Sequence, residues 1–124
     1  MKMEFYRCKH CGQIIAIVKG TDVPVKCCGE NMEKLIPGAI DASVEKHVPV
    51  YEVQNGKVVV TVGSIDHPML PEHFIEWIAI ETKNGNQRKI LTPGAEPKAC
   101  FFICGDDEVV AAYAYCNIHG LWKA

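Results

Sequence analysis

The chain has 124 residues, 48% of them hydrophobic and 23% charged, which suits one globular domain or a domain with a small appendage. A net charge of −2 gives no reason to expect nucleic acid or an anionic membrane surface as partner. Apolar runs such as Ile14 to Val18 are far too short to span a bilayer, and Met1-Lys2-Met3-Glu4-Phe5 lacks the apolar core of a signal peptide, so a cytoplasmic protein with no membrane partner is expected.

Seven cysteines are many for this length, and four fall within the first 28 residues. In a reducing compartment, clustered cysteines are metal ligands more often than disulfides. The first group reads Cys8-Lys9-His10-Cys11-Gly12 and the second Cys27-Cys28-Gly29. In a Cys-x-x-Cys-Gly turn the glycine lets backbone N–H groups face the thiolates and stabilise their charge. Gln13 to Val18 reads as a strand and Lys19-Gly20-Thr21-Asp22 as its turn. About thirty-six residues cannot bury a self-sufficient core, so this unit calls for a metal staple. Four thiolates suit zinc and iron equally. The adjacent pair Cys27-Cys28 can share an ion only by opening the angle between its sulfurs, an unusual choice for a purely structural zinc site. His10 is left outside the set, because four thiolates already fill it.

Leu35-Ile36-Pro37-Gly38 reads as a linker, and beyond it the chain is written in strands. Val44 to Val53 is valine-rich, Asn55-Gly56 is a strong hairpin turn, and Lys57 to Ile65 is a second strand. His73 to Glu81 is a strand with both faces largely apolar, followed by a turn at Asn84-Gly85. Gln87 to Leu91, Lys98 to Cys104 and Val109 to Cys116 complete the series. This spacing predicts an antiparallel sandwich, with no convincing helical periodicity anywhere. Cys100 and Cys104 lie four apart in a predicted strand, about 13 Å by the strand rise, and read as packing residues rather than a disulfide.

Near the end stands Cys116-Asn117-Ile118-His119-Gly120, a thiolate and an imidazole three positions apart that can bend onto one metal. Three more histidines, His47, His67 and His73, sit at predicted strand ends or in loops, beside residues such as Pro49 and Pro68 that shape the backbone. Loops at one end of a sandwich are where separate segments converge on a ligand. One thiolate and four imidazoles are one ligand too many for a closed tetrahedral zinc site, so the set points to a five-coordinate, redox-active metal.

These segments, together with Glu45-Lys46-His47-Val48-Pro49, Gly63-Ser64-Ile65-Asp66-His67-Pro68-Met69 and His73-Phe74-Ile75-Glu76-Trp77, resemble the desulfoferrodoxins, the two-iron superoxide reductases, over nearly the whole chain. The resemblance implies an all-β protein. Residues 1–37 would form a small desulforedoxin-like domain whose iron is held by Cys8, Cys11, Cys27 and Cys28. Residues 38–124 would form an immunoglobulin-like antiparallel β-sandwich whose catalytic iron is held by His47, His67, His73, His119 and Cys116. It implies a homodimer, reduction of superoxide to hydrogen peroxide, and a rubredoxin-like electron donor. Lys46 would draw in the anion and organise water for its protonation. Glu45 would bind the open position of the oxidised iron and help product leave. On a regular strand Glu45 and Lys46 would face opposite ways, so both can serve one site only if the backbone there is not a strand. Two other classes fit parts of the pattern: an electron-transfer protein whose irons never bind substrate, and a zinc-stapled binding module with histidines on its surface.

Overall fold

Alternating valines carry the larger unit. In the computed structural model, which describes residues 3–124, Val58, Val60 and Val62 point inward from one strand and are fully buried. Met1 and Lys2, part of the opening read for a targeting signal, lie outside the described residues. The chain divides into two units, Met1–Ile36 and Pro37–Ala124, with the break inside the Pro-Gly segment.

The first unit contains β1 (Phe5–Arg7), β2 (Ile14–Ala16), β3 (Lys26–Cys27), β4 (Glu30–Asn31) and β5 (Glu33–Lys34). They form a three-stranded sheet, β2-β1-β5, and a separate hairpin of β3 and β4. The predicted strand from Gln13 to Val18 shrinks to Ile14–Ala16, because only that part pairs with β1. Among the described residues of this unit, the buried hydrophobic side chains are Phe5, Cys8 and Met32. So small a core leaves the unit dependent on its cysteines.

The second unit opens with one helical turn, α1 (Val44–His47), where a strand was predicted. Proline explains where it stops: Pro49 forces the residue before it into an extended conformation, and Val48 adopts φ −71 and ψ 119. The strands are β6 (Pro49–Gln54), β7 (Lys57–Val62), β8 (Ile75–Thr82), β9 (Gly85–Ile90), β10 (Lys98–Phe102), β11 (Val109–Cys116) and β12 (Gly120–Lys123). They form two antiparallel sheets, β10-β7-β6 and β12-β11-β8-β9, an immunoglobulin-like sandwich. Asn55 and Gly56 both take positive φ, 52 and 79, as a two-residue turn between twisted strands demands.

The core lies between the sheets. Val58, Val60, Val62 and Phe101 on one face meet Ile75, Ile78, Ile80, Ala112, Ala114 and Cys116 on the other. Burying each large aliphatic side chain contributes about 1.5–3 kcal/mol. At one seam Gln87 Nε2 donates to the Phe102 carbonyl at 2.8 Å and Lys89 Nζ donates to that of Cys100, closing the β10 edge. Cys100 is half-buried on β10, as a packing residue should be, but Cys104 lies beyond the strand and is exposed.

Pairing between β8 and β11 slips next to Cys116, which opposes Ile75 whereas Tyr115 opposes Trp77. Such a bulge re-aims the chain at a strand end. It turns the start of β8, and His73 just before it, towards the end of β11.

Candidate metal centres

In the first unit, the sulfurs of Cys8, Cys11, Cys27 and Cys28 all lie within 4.8 Å of one another. Gly12, at φ 82, closes the first knuckle by donating its N–H to the Cys8 carbonyl at 2.8 Å. The adjacent cysteines converge by a device the sequence did not reveal. Cys28 itself adopts φ 51, a left-handed conformation costing roughly 1–2 kcal/mol for a residue with a side chain. The Cys27 and Cys28 sulfurs then stand 4.0 Å apart, and those of Cys11 and Cys27 3.6 Å. Backbone N–H groups of Cys11 and His10 help bring the Cys8 thiol down to about 6, against the cost of its burial. The sulfurs of Cys11 and Cys8 push Cys27 up to about 12. Four crowded thiols of this kind ionise together only around a cation. His10 stays outside, with Nε2 3.3 Å from the exposed carboxylate of Glu30.

The second centre gathers donors from four segments. One ring nitrogen each of His47, His67 and His73 and the sulfur of Cys116 lie within 4.8 Å of one another. His119 joins them, its Nδ1 3.1 Å from His47 Nε2 and 3.8 Å from Cys116 Sγ. The imidazoles stand at the corners of a square. Ring centroids run 4.7 Å from His47 to His67, 4.6 Å to His73, 5.1 Å to His119 and 4.9 Å back to His47. Neighbouring rings meet nearly edge to face, while His47 and His73 face each other across the square at 6.4 Å. Cys116 approaches from the core, where it is fully buried.

Hydrogen bonds set the rings. His47 Nδ1 lies 2.7 Å from the Ser43 carbonyl and His67 Nδ1 2.7 Å from that of Pro68. Both therefore carry their proton on Nδ1 and turn a bare Nε2 inward, the arrangement of metal-binding histidines. Those two Nε2 atoms are 3.2 Å apart. Two lone pairs facing each other have no attraction of their own, and a shared cation resolves the conflict. Among the described residues, buried His73 Nε2 has no hydrogen-bond partner. Burial pushes His67 down to about 4 and lowers His47 and His73, which favours neutral imidazoles. Burial also raises the Cys116 thiol, against the backbone N–H groups of His119 and Ile118. The bare, facing imidazole nitrogens fit a positive ion, and the backbone N–H groups of His119 and Ile118 favour the Cys116 thiolate that would bind it, against the cost of its burial.

Trp122 braces two of the ligand candidates. Its Nε1 donates to the His119 carbonyl at 3.0 Å, and its ring centroid lies 4.9 Å from that of His47. Gly120 takes φ 77 and lets β12 turn back directly after His119.

The family description Desulfoferrodoxin matches residues 39–124, and Desulfoferrodoxin, N-terminal domain, matches residues 1–35. The chain belongs to the desulfoferrodoxin family. A desulfoferrodoxin of Syntrophotalea carbinolica is 43% identical over 124 residues, covering 99% of this chain and 96% of the relative. A superoxide reductase of Pyrococcus horikoshii is 42% identical over 64% of this chain and 84% of its own length. The crystal structure of the superoxide reductase from Treponema pallidum superposes with a TM-score of 0.85 at 35% identity, covering 100% of this chain and 99% of that one. The four-cysteine and histidine–cysteine donor sets match the two iron centres of the desulfoferrodoxin family.

Glu45 and Lys46, the other residues singled out from the sequence, occupy the exposed side of α1, directly before His47. Successive residues on a helical turn are about 100° apart, so both side chains can serve one region, which a strand would forbid. The Glu45 carbonyl accepts the Ile65 N–H at 2.9 Å and the Ser64 hydroxyl at 3.2 Å, tying this turn to the segment that leads to His67. Sequence reasoning missed Ser64 and Trp122 as supports. The Trp122 indole, three positions after a candidate ligand, was the available signal.

Proposed function

We propose that the protein is a superoxide reductase acting through the histidine–cysteine centre. The observation that carries this reading is the square of four imidazoles with a buried thiolate on its core side. Proteins named superoxide reductase among its relatives and structural neighbours support it. His47, His67, His73, His119 and Cys116 would hold the iron, and Cys8, Cys11, Cys27 and Cys28 a second one. Residues 1–37 would serve as the four-cysteine domain and 38–124 as the catalytic domain.

Ferrous iron bound there supplies the one electron that takes superoxide to the peroxide level. Everything else falls to the protein. Neutral imidazoles leave a positive centre that attracts a small anion, while the buried sandwich keeps Cys116 away from solvent. Lys46 adds a mobile positive charge. It is among the charges that lower His73, behind burial and His119 and opposed by Glu72. Its ammonium attracts superoxide and orders the water that delivers protons; two protons and one electron convert superoxide to hydrogen peroxide. Glu45, one residue earlier, would offer its carboxylate to the oxidised centre and so help product leave. The reaction consumes an electron at each turnover, which a rubredoxin-like protein would return. A homodimer in the cytoplasm completes the proposal; among the described residues no helix is long and apolar enough to cross a membrane.

Metal analysis joined to pulse radiolysis tests the reading. Two irons per chain and rapid consumption of superoxide without release of dioxygen are expected. Stoichiometric zinc in natively expressed protein would sink it. So would an iron that binds neither azide nor cyanide, the behaviour of a pure electron carrier.

A further inference from the structure

Asn117 contributes no ligand, yet it makes three hydrogen bonds to the chain on either side of His73. Its Oδ1 accepts the Phe74 N–H at 2.9 Å and its Nδ2 donates to the Glu72 carbonyl at 3.0 Å. Its own backbone N–H donates to the Phe74 carbonyl at 3.2 Å. The amide is oriented without ambiguity, because its acceptor meets a donor and its donor an acceptor. The residues so joined are more than forty positions apart in sequence.

We propose that Asn117 is a positioning residue that clamps the His73 segment to the Cys116–His119 turn and so sets His73 against the metal. The inference rests on the metal-centre reading above. Three of the four histidines have other anchors. His47 and His67 are fixed through Nδ1 by carbonyls, and the His119 carbonyl is held by Trp122. No hydrogen bond to the His73 ring is found among the described residues. A metal-binding histidine is ordinarily oriented by a partner on its second nitrogen. With none here, the ring's position is inherited from its backbone, and the Asn117 side chain grips that backbone immediately before and after it. A backbone bridge between Leu70 and His73 fixes the incoming chain but does not connect it to Cys116. The β8–β11 ladder joins Ile75, beyond His73, to Cys116. The Asn117 side chain carries that connection back to Glu72 and Phe74 on either side of His73, and Asn117 follows Cys116 directly. It is also exposed, so its replacement removes nothing from the sandwich core.

The test uses the full chain, stripped of metal and titrated with cobalt(II) against a competing chelator. Thiolate-to-cobalt absorption from Cys116 reads the histidine–cysteine centre separately from the four-cysteine centre. Asn117→Ala should weaken cobalt binding at the histidine–cysteine centre by about 10- to 100-fold. Asn117→Asp, which keeps the acceptor for Phe74 but loses the donor to Glu72, should fall between Ala and wild type. Affinity at the four-cysteine centre and the unfolding midpoint of the metal-free protein should not move. An Asn117→Ala affinity within twofold of wild type would overturn the proposal, as would a loss matched by equal destabilisation of the metal-free protein. Wild-type protein that takes up no cobalt at the histidines would overturn the metal-centre reading itself, and this inference with it.

Discussion

Gly63 lies so close to Glu45 that a Cβ on it would stand 2.7 Å from the Glu45 carbonyl oxygen, and as near to that of Val48. Both oxygens belong to the backbone around α1, which cannot give way without moving Glu45, Lys46 and His47 together. Gly63→Ala should therefore cost about 1–3 kcal/mol of stability by overpacking. It should also weaken iron retention at the histidine–cysteine centre while leaving the four-cysteine iron in place. Urea unfolding of the metal-free variant and iron counts per chain check this. An alanine variant with wild-type stability and full iron content would show that the turn adapts freely.

Lys46→Ala should slow the reaction with superoxide without loss of iron. For charges about 6 Å apart, Coulomb attraction between the limits of bulk water and an effective dielectric of about 20 gives a loss of about 3- to 100-fold in second-order rate. The deficit should shrink as added salt screens the attraction. Pulse radiolysis at two ionic strengths measures both effects. A rate equal to wild type would return Lys46 to the role of an ordinary solvated lysine.

Low pH should unfold the metal-free protein early. Burial lowers His67 from its ordinary value of 6.5 to about 4, and lowers His47 and His73 too. Below pH 6.5 the unfolded chain takes up protons that the folded one refuses, so stability present above 6.5 is lost as pH falls towards about 4. For His67 alone the loss is at most roughly 3 kcal/mol. Urea midpoints between neutral pH and pH 4.5 should fall steadily, and His67→Phe should flatten the slope. A midpoint that rises on acidification would contradict the assignment.

What could be read from the chain was whatever a local signal carries. The β6–β7 hairpin was legible because Asn55-Gly56 dictates its turn, and the donors were legible as residue types in company. The α1 turn was not, since Val44 and Val48 advertise a strand and one helical turn has no periodicity to detect. What makes it a turn is distant: Gly63 leaves it room, while Ser64 and Ile65 bond to it. The left-handed Cys28 and the reach of Asn117 to Glu72 and Phe74 were equally hidden, because each depends on where another segment arrives. Cys104 misled for a simpler reason. Strand β10 ends at Phe102, so the alternation that would have buried it never reaches it.

Cys28→Ser should damage the first centre and spare the second. The unit Met1–Ile36 has little apolar core to fall back on, whereas the sandwich buries its own. The variant should retain one iron per chain and the spectrum of the histidine-ligated centre. Given an artificial donor, it should reduce superoxide at close to the wild-type rate. Retention of that spectrum with no reaction towards superoxide would show that the four-cysteine centre takes part in the chemistry.

The indole of Trp122, packed 4.9 Å from the His47 ring, also gives the centre an optical gauge of its own. An absorbing, paramagnetic ion held by His47 would drain the excited indole beside that ring before it can emit. The protein's ultraviolet fluorescence thus becomes a readout of occupancy at the histidines, dim when they are filled and bright when they are stripped. Trp122→Phe would silence the gauge and leave Trp77, on a different strand, as the background against which it is read.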